Sequence, residues 1–595
     1  MQEFSTPSNL TVGDDVTTIT RIQDLRRNNP STPVFKRLGD SGHWLNVTAE
    51  QFAGEVDAVA KGLIASGIEP GDRVSLLCST RYEWSLLDYA IWRAGATTVA
   101  IYETSAPDQV DWILNDSGTK LLILENDEHR TKHHEVITAA SALQETLVID
   151  QGAIVELRKR GENVPDSALD EREANSRSSD AATLIYTSGT TGRPKGVMLT
   201  HANFISEAAA VRDSVGPGLT AGKTTLLFLP LAHVFARAIA VGCMENGVVL
   251  GHTSDLPNLV ENLGVFKPNY VLSVPRVFEK VYNSARQKAI DGGKGGIFDK
   301  AADAAIAYSK ALDGRGPGLG LKIKHAVFDK LVYGKLRDAL GGQCEAAVSG
   351  GAPMGARLGH FFRGVGIPVF EGYGLTETTA AVTANNEEHS RIGSVGRPVP
   401  GVSIAIAEDG EVLLRGPMIF TGYWQNADAT ADSIRDGWFH TGDIGYLEDG
   451  FLFITGRKKE LIVTAGGKNV SPAQLEDTIR AHPMVSQCLV VGDKMPFIGA
   501  LLTIDPESAP GWLERQGLPA DTSMEELAKN PVLRAEFEEA VASANAKVSA
   551  AEQIKKFDVL ATDFTIDTGE LTPTMKLKRN VIHDTYKQAI ADLYS

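Results

Sequence analysis

The 595-residue chain is short of cysteine, of basic charge and of long apolar runs, and each shortage excludes something. Its four cysteines, Cys78, Cys243, Cys344 and Cys488, form no CxxC pair and no metal-ligand spacing. That excludes a disulfide scaffold and suits a reducing compartment. A net charge of −17 excludes the basic face that a nucleic-acid partner requires. No apolar run approaches bilayer length; Leu226 to Ala236 is among the longest, and His233 interrupts it. Met1 to Asp15 lacks the basic and apolar regions of a secretory signal, so a cytoplasmic location is expected. No tandem repeat is present. A Walker A loop is missing too, because the near match at Gly222-Lys223-Thr224 has Pro217 where its first glycine belongs. What remains is an ordinary globular composition, 43% apolar and 22% charged, with length for two or more domains.

The first half alternates short apolar strands with amphipathic helices. Thr48 and Gln51 form a capping box before Phe52, Val56, Val59 and Leu63 at helical spacing. Arg73–Cys78, Thr97–Ile101, Lys120–Leu124 and Leu147–Ile149 read as strands, with a helix over Tyr82–Arg93. Leu226–Leu229, Val248–Leu250 and Val271–Val274 continue the series, the pattern of an α/β protein with largely parallel sheets. Residues 161–181 read as a polar surface connection, and residues 292–320 as a loop–helix–loop excursion at the surface. From Val402 the pattern changes to short strands, with hairpin turns at Asp409-Gly410 and Asp449-Gly450. A boundary near Gly456–Lys459 divides residues 1–456 from a smaller α+β domain, 457–595.

Residues 184–201 carry the strongest chemical signal. After the apolar Leu184–Tyr186 come Thr187, Ser188, Gly189, Thr190, Thr191 and Gly192, then Arg193, Pro194 and Lys195. Glycines and hydroxyls of this kind can wrap backbone N–H groups around phosphate oxygens, and Lys195 adds a cation. Local composition alone leaves a flexible surface loop equally open. Further on, Gly350, Gly351 and Ala352 sit in a strand-to-helix turn. In Glu371-Gly372-Tyr373-Gly374-Leu375-Thr376-Glu377, the glycines let a planar base approach and Tyr373 offers a face for stacking. Thr376 can bond a phosphate oxygen, and Glu377 is a hard oxygen ligand suited to Mg2+. Taken singly, Glu377 reads as a solvated carboxylate and Arg457–Lys459 as a charged turn.

In this order the stretches resemble the signature motifs of the adenylate-forming superfamily, most closely AMP-forming acyl-CoA synthetases of the long-chain fatty acid type, over roughly residues 45–585. The resemblance implies a large N-terminal domain of α/β layers plus β structure and a small mobile C-terminal domain. It implies that the 187–195 loop, Gly350–Ala352, Glu371–Gly374, the ribose-binding carboxylate Asp443 and Arg457 hold ATP. Glu377 would hold the metal, Lys459 would be the hinge, and Gly466, Gly467 and Lys468 would line the CoA channel. His233, in Leu229-Pro230-Leu231-Ala232-His233, would border the acyl pocket, though a core or helix-capping histidine fits the residues nearly as well. The C-terminal Leu571-Thr572-Pro573-Thr574-Met575-Lys576 would bring the catalytic lysine. Met575 stands where many relatives place glycine, which leaves Lys578 as a second register beside Lys576.

The implied reaction joins a long-chain fatty acid to CoA through an acyl-adenylate, with ATP, Mg2+ and CoA and with Thr376, Glu377 and Lys576 as the catalytic set. An acyl-AMP ligase or another acid–CoA ligase is the near alternative, and a catalytically silent nucleotide-binding relative the distant one. Lys322, Lys324, Lys330, Lys335 and Arg337 surround an apolar helix. They leave room for peripheral contact at the inner membrane face, with a solvated helix face as the plainer reading.

Overall fold

The computed structural model describes residues 2–39, 42–187, 193–215, 220–566, 568–572 and 575–595. Strands that are apolar on both faces form the centres of two sheets. In the seven-stranded sheet, Arg73–Leu77 lies between Thr97–Ile101 and Leu121–Leu124, parallel to both. All five residues of Thr97–Ile101 are buried, as a strand covered by helices on both sides requires. Ala181–Thr187 adds parallel to Thr97–Ile101 and turns back antiparallel into Lys195–Thr200, whose other edge takes the two-residue strand Gly422–Tyr423. The nine-stranded sheet has Thr224–Leu227, Tyr270–Ser273, Ala346–Ser349 and Val369–Leu375 parallel at its centre. A third, antiparallel sheet is built mainly from residues 403–457.

Helices Tyr82–Arg93 and Val234–Asn246 tie the two large sheets together. From the first, Asp88 accepts from Thr98 in one sheet at 2.6 Å, and Ser85 bonds His252 in the other at 2.9 Å. From the second, Arg237 forks onto both oxygens of Asp88 at 2.6 and 2.7 Å. Its side chain is 1% exposed and lies against Trp84, Trp92 and Phe204. A buried pair that lost one partner would leave an uncompensated charge in an apolar interior.

The capping box at Thr48 and Gln51 forms, and the helix it opens runs Ala49–Ala65. Two segments differ from the sequence expectation. Residues 161–181 include helix Asp166–Asn175, which buries only Leu169 and has no apolar stripe to announce it. Polar contacts hold it instead: Arg172 donates to the carbonyls of Ile68 and Ala94 at 3.0 Å each. Residues 292–320 hold the expected loop–helix–loop, but the helix is not a surface excursion. Helix Gly295–Leu312 buries Phe298, Ala301, Ala302 and Ala305, and packs so closely on helix Ala356–Val365 that a Cβ on Gly364 would lie 2.1 Å from the Ala305 carbonyl oxygen.

The C-terminal residues form a separate core. Strands Val485–Val491, Ile498–Ile504 and Ile554–Leu560 make one sheet, with Leu475, Ile479, Trp512 and Phe537 on one side and Phe564, Ile582 and Leu593 on the other. None of the buried apolar clusters among the described residues spans both units. The contacts that join the units include Arg276–Asp505 at 3.0 Å, Lys280–Glu507 at 3.1 Å, Arg515–Gln287 at 2.8 Å and Ser471 Oγ donating to the Thr455 carbonyl at 2.6 Å. Half-exposed ion pairs of this kind are worth about 0–1 kcal/mol each.

Candidate active site

The strand Val369–Leu375 carries the expected base-binding residues and ends in the tight turn Thr376–Thr378. The chain then folds back antiparallel through Thr379 at φ 55° and Ala380 at φ 83°, two non-glycine residues in the left-handed region. Such positions cost about 1–3 kcal/mol each and persist only where the surroundings impose them. Here Thr379 Oγ1 donates to the Met418 carbonyl at 2.7 Å, and Phe420 N–H donates to the Glu377 carbonyl at 2.8 Å. Gly374 is obligatory at the fold-back, since a Cβ there would lie 1.4 Å from the Ala380 carbonyl oxygen.

The register slips between Tyr373 and Gly374. Beside that slip, the N–H of Ala381 bonds the carboxyl of Glu207, which reaches in from helix His201–Val215. Glu207 is 5% exposed, and burial pushes its carboxyl up to about 8, with the Ala381 bond opposing. Glu371 is also buried; its carboxylate accepts from Met354 N–H at 3.0 Å and so fixes the turn that contains Gly350–Ala352. On that turn Gly350 abuts Phe235, whose ring would lie 3.4 Å from a Cβ.

Asp443 and Arg457 face each other across an antiparallel pair, and Arg457 Nε lies 2.9 Å from Asp443 Oδ1. The other carboxylate oxygen accepts from Tyr373 OH at 2.5 Å. Tyr373 is thus oriented by the buried carboxylate. Glu377 accepts at Oε1 from Tyr423 OH at 2.8 Å, and Lys195 Nζ sits 4.9 Å from the Tyr423 ring centre. Ser188, Gly189, Thr190, Thr191 and Gly192 lie outside the described residues. Their flanks, Thr187 and Lys195, are register partners. At the loop's exit, Trp112 donates from Nε1 to the Pro194 carbonyl at 2.7 Å and stacks under Arg193.

His233 caps helix Val234–Asn246, its Nδ1 accepting from Phe235 N–H at 3.2 Å. Burial first, and then the Lys576 cation, lower its pKa to about 4, so the ring is neutral at pH 7. Lys576 is solvent-exposed yet lies in the cleft between the units. Desolvation there lowers its pKa, as does Arg457, while Asp443, Glu460 and Glu377 pull the other way. Met575 takes φ 61°, the backbone conformation glycine adopts freely, so the residue standing in place of glycine keeps glycine's geometry. Lys578 instead precedes helix Arg579–Thr585 as its cap, with its N–H on the Glu570 carbonyl at 2.7 Å.

A family model described as AMP-binding enzyme matches residues 23–424, and one described as AMP-binding enzyme C-terminal domain matches residues 459–595. The chain belongs to the AMP-binding enzymes. It is 52% identical to the long-chain-fatty-acid–CoA ligase FadD15 of Mycobacterium tuberculosis (strain ATCC 25618 / H37Rv) over 599 residues, 100% of each chain. The long-chain-fatty-acid–CoA ligase ACSBG2 of Gallus gallus is 32% identical, over 93% of this chain and 78% of the relative. Two solved structures share the fold. The anthranilate CoA ligase AuaEII with anthranoyl-AMP has a TM-score of 0.73 at 19% identity, over 98% of this chain and 99% of that one. MenE from Bacillus subtilis with ATP and magnesium ion has a TM-score of 0.67 at 21% identity, over 94% and 98%.

In this AMP-binding enzyme the expected residues divide into two groups. Tyr373, Glu377, Asp443, Arg457, His233 and Lys576 converge on one cleft. Gly466, Gly467 and Lys468 are exposed in a turn of the C-terminal unit, where Lys468 pairs with Glu552 at 3.6 Å. Lys459 is exposed in the turn Lys458–Glu460, while its neighbour Lys458 is held by Asp409 at 2.5 Å. Tyr423, Glu207 and Trp112 were missed by the sequence reading. The aromatic-glycine cluster Phe420-Thr421-Gly422-Tyr423-Trp424 is the one signal that could have singled out Tyr423.

Proposed function

We propose that the protein activates a long-chain fatty acid in two steps, forming an acyl-adenylate from ATP and then an acyl-CoA. The observation that carries this reading is the convergence of Lys576 with Asp443, Arg457 and Glu377 in one cleft, together with 52% identity over the full chain to a long-chain-fatty-acid–CoA ligase. In the first step the fatty carboxylate attacks the α-phosphorus of ATP, and pyrophosphate leaves. Two anions meet, so the site's task is neutralisation and in-line positioning, with no general base needed. Lys576 and Lys195 supply cations and Thr376 a hydroxyl, while Asp443 takes the ribose and Tyr373 the base. The acid donor set fits a divalent cation: Glu377 keeps Oε2 free because Tyr423 bonds only Oε1. Mg2+ held there would supply charge neutralisation at the phosphates.

In the second step the CoA thiol attacks the acyl carbon and AMP leaves. We assign residues 457–595 as a unit that turns about Lys459, withdrawing Lys576 and presenting Gly466, Gly467 and Lys468 to the pantetheine arm. Weak polar contacts between the units and their separate cores support such a motion, because little apolar area is exposed by it. His233, neutral at the helix cap beside Lys576, would border the acyl carboxylate.

The test is CoA-dependent AMP release with ATP and Mg2+ across fatty acids from short to very long, with benzoate as control. An optimum at long chains with acyl-CoA as product supports the proposal. Adenylate formation indifferent to CoA would transfer the second step to a carrier-protein acceptor, and no adenylation of any acid would overturn the whole reading.

A further inference from the structure

Helix Leu319–Phe328 and the π turn Asp329–Tyr333 that continues it turn one face to the protein. His325 Nε2 bonds the Gly364 carbonyl at 2.6 Å, His325 stacks on Tyr308 with centroids 3.9 Å apart, and Tyr333 OH donates to the Ala301 carbonyl at 2.7 Å. The opposite face should then be polar. Instead, Leu319, Ile323, Val327 and Leu331, one per turn, are 74%, 59%, 51% and 55% exposed. Four large aliphatic side chains in one outward stripe are unlike the scattered apolar residues of an ordinary soluble surface.

Charge says what covers the stripe. The chain carries −17 overall, yet Arg315 to Arg337 holds six Lys and Arg residues against one carboxylate, Asp329. That carboxylate is already paired with Arg337 at 2.7 Å. Lys322, Lys324 and Lys330 are exposed and lie around the apolar stripe, where long aliphatic stems can follow it down while the ammonium groups stay in water. A second copy of so acidic a chain offers no general attraction. A negatively charged bilayer surface offers both what the stripe lacks and what the lysines need.

We propose that the outward face of residues 319–331 docks the protein on an anionic lipid surface, with the four aliphatic side chains at the acyl boundary and the lysines at the headgroups. The docking lies outside the catalytic cleft and does not depend on which acid is activated. No helix among the described residues is long and apolar enough to cross a membrane, so the contact is peripheral.

The experiment is co-sedimentation of the full-length protein with vesicles of phosphatidylcholine, and of phosphatidylcholine with phosphatidylglycerol at two parts to one. The wild type should bind the anionic vesicles, and salt should weaken that binding by screening. A variant with Leu319→Ser, Ile323→Ser and Leu331→Ser should lose binding more than about tenfold. A second, with Lys322→Ser, Lys324→Ser and Lys330→Ser, should lose about a hundredfold, roughly fivefold per lysine. Both should activate a short, water-soluble acid as the wild type does, because none of these residues lies in the cleft. Equal binding of wild type and variants overturns the proposal, as does wild-type binding to phosphatidylcholine alone. A wild-type dimer in lipid-free sedimentation velocity that the aliphatic variant makes monomeric also overturns it, by assigning the stripe to a second copy.

Discussion

Lys576→Ala separates the two proposed half-reactions. The lysine stands in the cleft with Asp443, Arg457 and Glu377 as the charges that set its environment. One cation about 4 Å from the transferring group, at an effective dielectric near 20, is worth about 4 kcal/mol. Water reaches the lysine from the open side of the cleft, and screening trims that to about 3 kcal/mol, roughly a hundredfold in rate. Pyrophosphate exchange into ATP, dependent on the fatty acid, reads the first step alone. Release of AMP from supplied acyl-adenylate and CoA reads the second. The variant should lose about a hundredfold in exchange while the second step stays unchanged, and Lys578→Ala should leave both intact. Exchange that survives in Lys576→Ala and fails in Lys578→Ala refutes the assignment; an equal loss in both half-reactions refutes the withdrawal of Lys576 between them.

Glu207→Gln should flatten part of the pH dependence of stability. A carboxyl raised by burial to about 8 binds a proton that the unfolded chain releases near its ordinary pKa, so its stabilisation is complete below that value and is lost as pH rises through about 8. Urea midpoints from pH 5 to pH 9 should fall less steeply in the variant, by up to about 1.4 kcal/mol per pH unit within that window; parallel profiles would refute this. Gly374→Ala should abolish ATP binding measured by calorimetry, because its methyl would overlap the Ala380 carbonyl; wild-type affinity would show that the fold-back yields. Arg237→Met should destabilise the N-terminal unit by about 3–5 kcal/mol, and adding Asp88→Leu should recover much of that, read as shifts in its thermal transition. Arg276→Ala with Lys280→Ala should slow pyrophosphate exchange more than thioester formation, because both pairs belong to the arrangement that brings Lys576 into the cleft. Equal effects on both steps would deny these contacts a conformational role.

Much of the fold was legible because its local signals agree with its global ones. The box at Thr48 and Gln51, the helix Tyr82–Arg93 and the strand Thr97–Ile101 stand where the pattern put them. Helix Asp166–Asn175 was illegible because arginine contacts hold it and no apolar stripe does. Helix Gly295–Leu312 hid its packing because alanine and glycine bury little area and work by close approach. Tyr423 reaches Glu377 across 46 residues of chain through a two-residue strand, too short to carry any periodicity. Glu207 reads as a solvated helix position until the register slip beside Gly374 leaves Ala381 N–H for it to bind.

By itself the sequence determined which residue types stand in which order: a small-residue loop ending at Lys195, a glycine-flanked tyrosine before Thr376-Glu377, a carboxylate at Asp443, and lysines near the C-terminus. Those are properties of residue type and spacing, legible without coordinates. Which lysine enters the cleft was beyond it. Lys576 and Lys578 are two apart, so strand alternation puts both on one face and cannot separate them. The tertiary structure separates them through the main chain. Thr572 N–H donates to the Lys576 carbonyl at 2.9 Å and Met575 takes φ 61°, while Lys578 is drawn back to Glu570 to open the following helix. The pairing of Asp443 with Tyr373 was equally out of reach, because it exists only once a strand from each of two sheets has brought 70 residues of separation down to 2.5 Å.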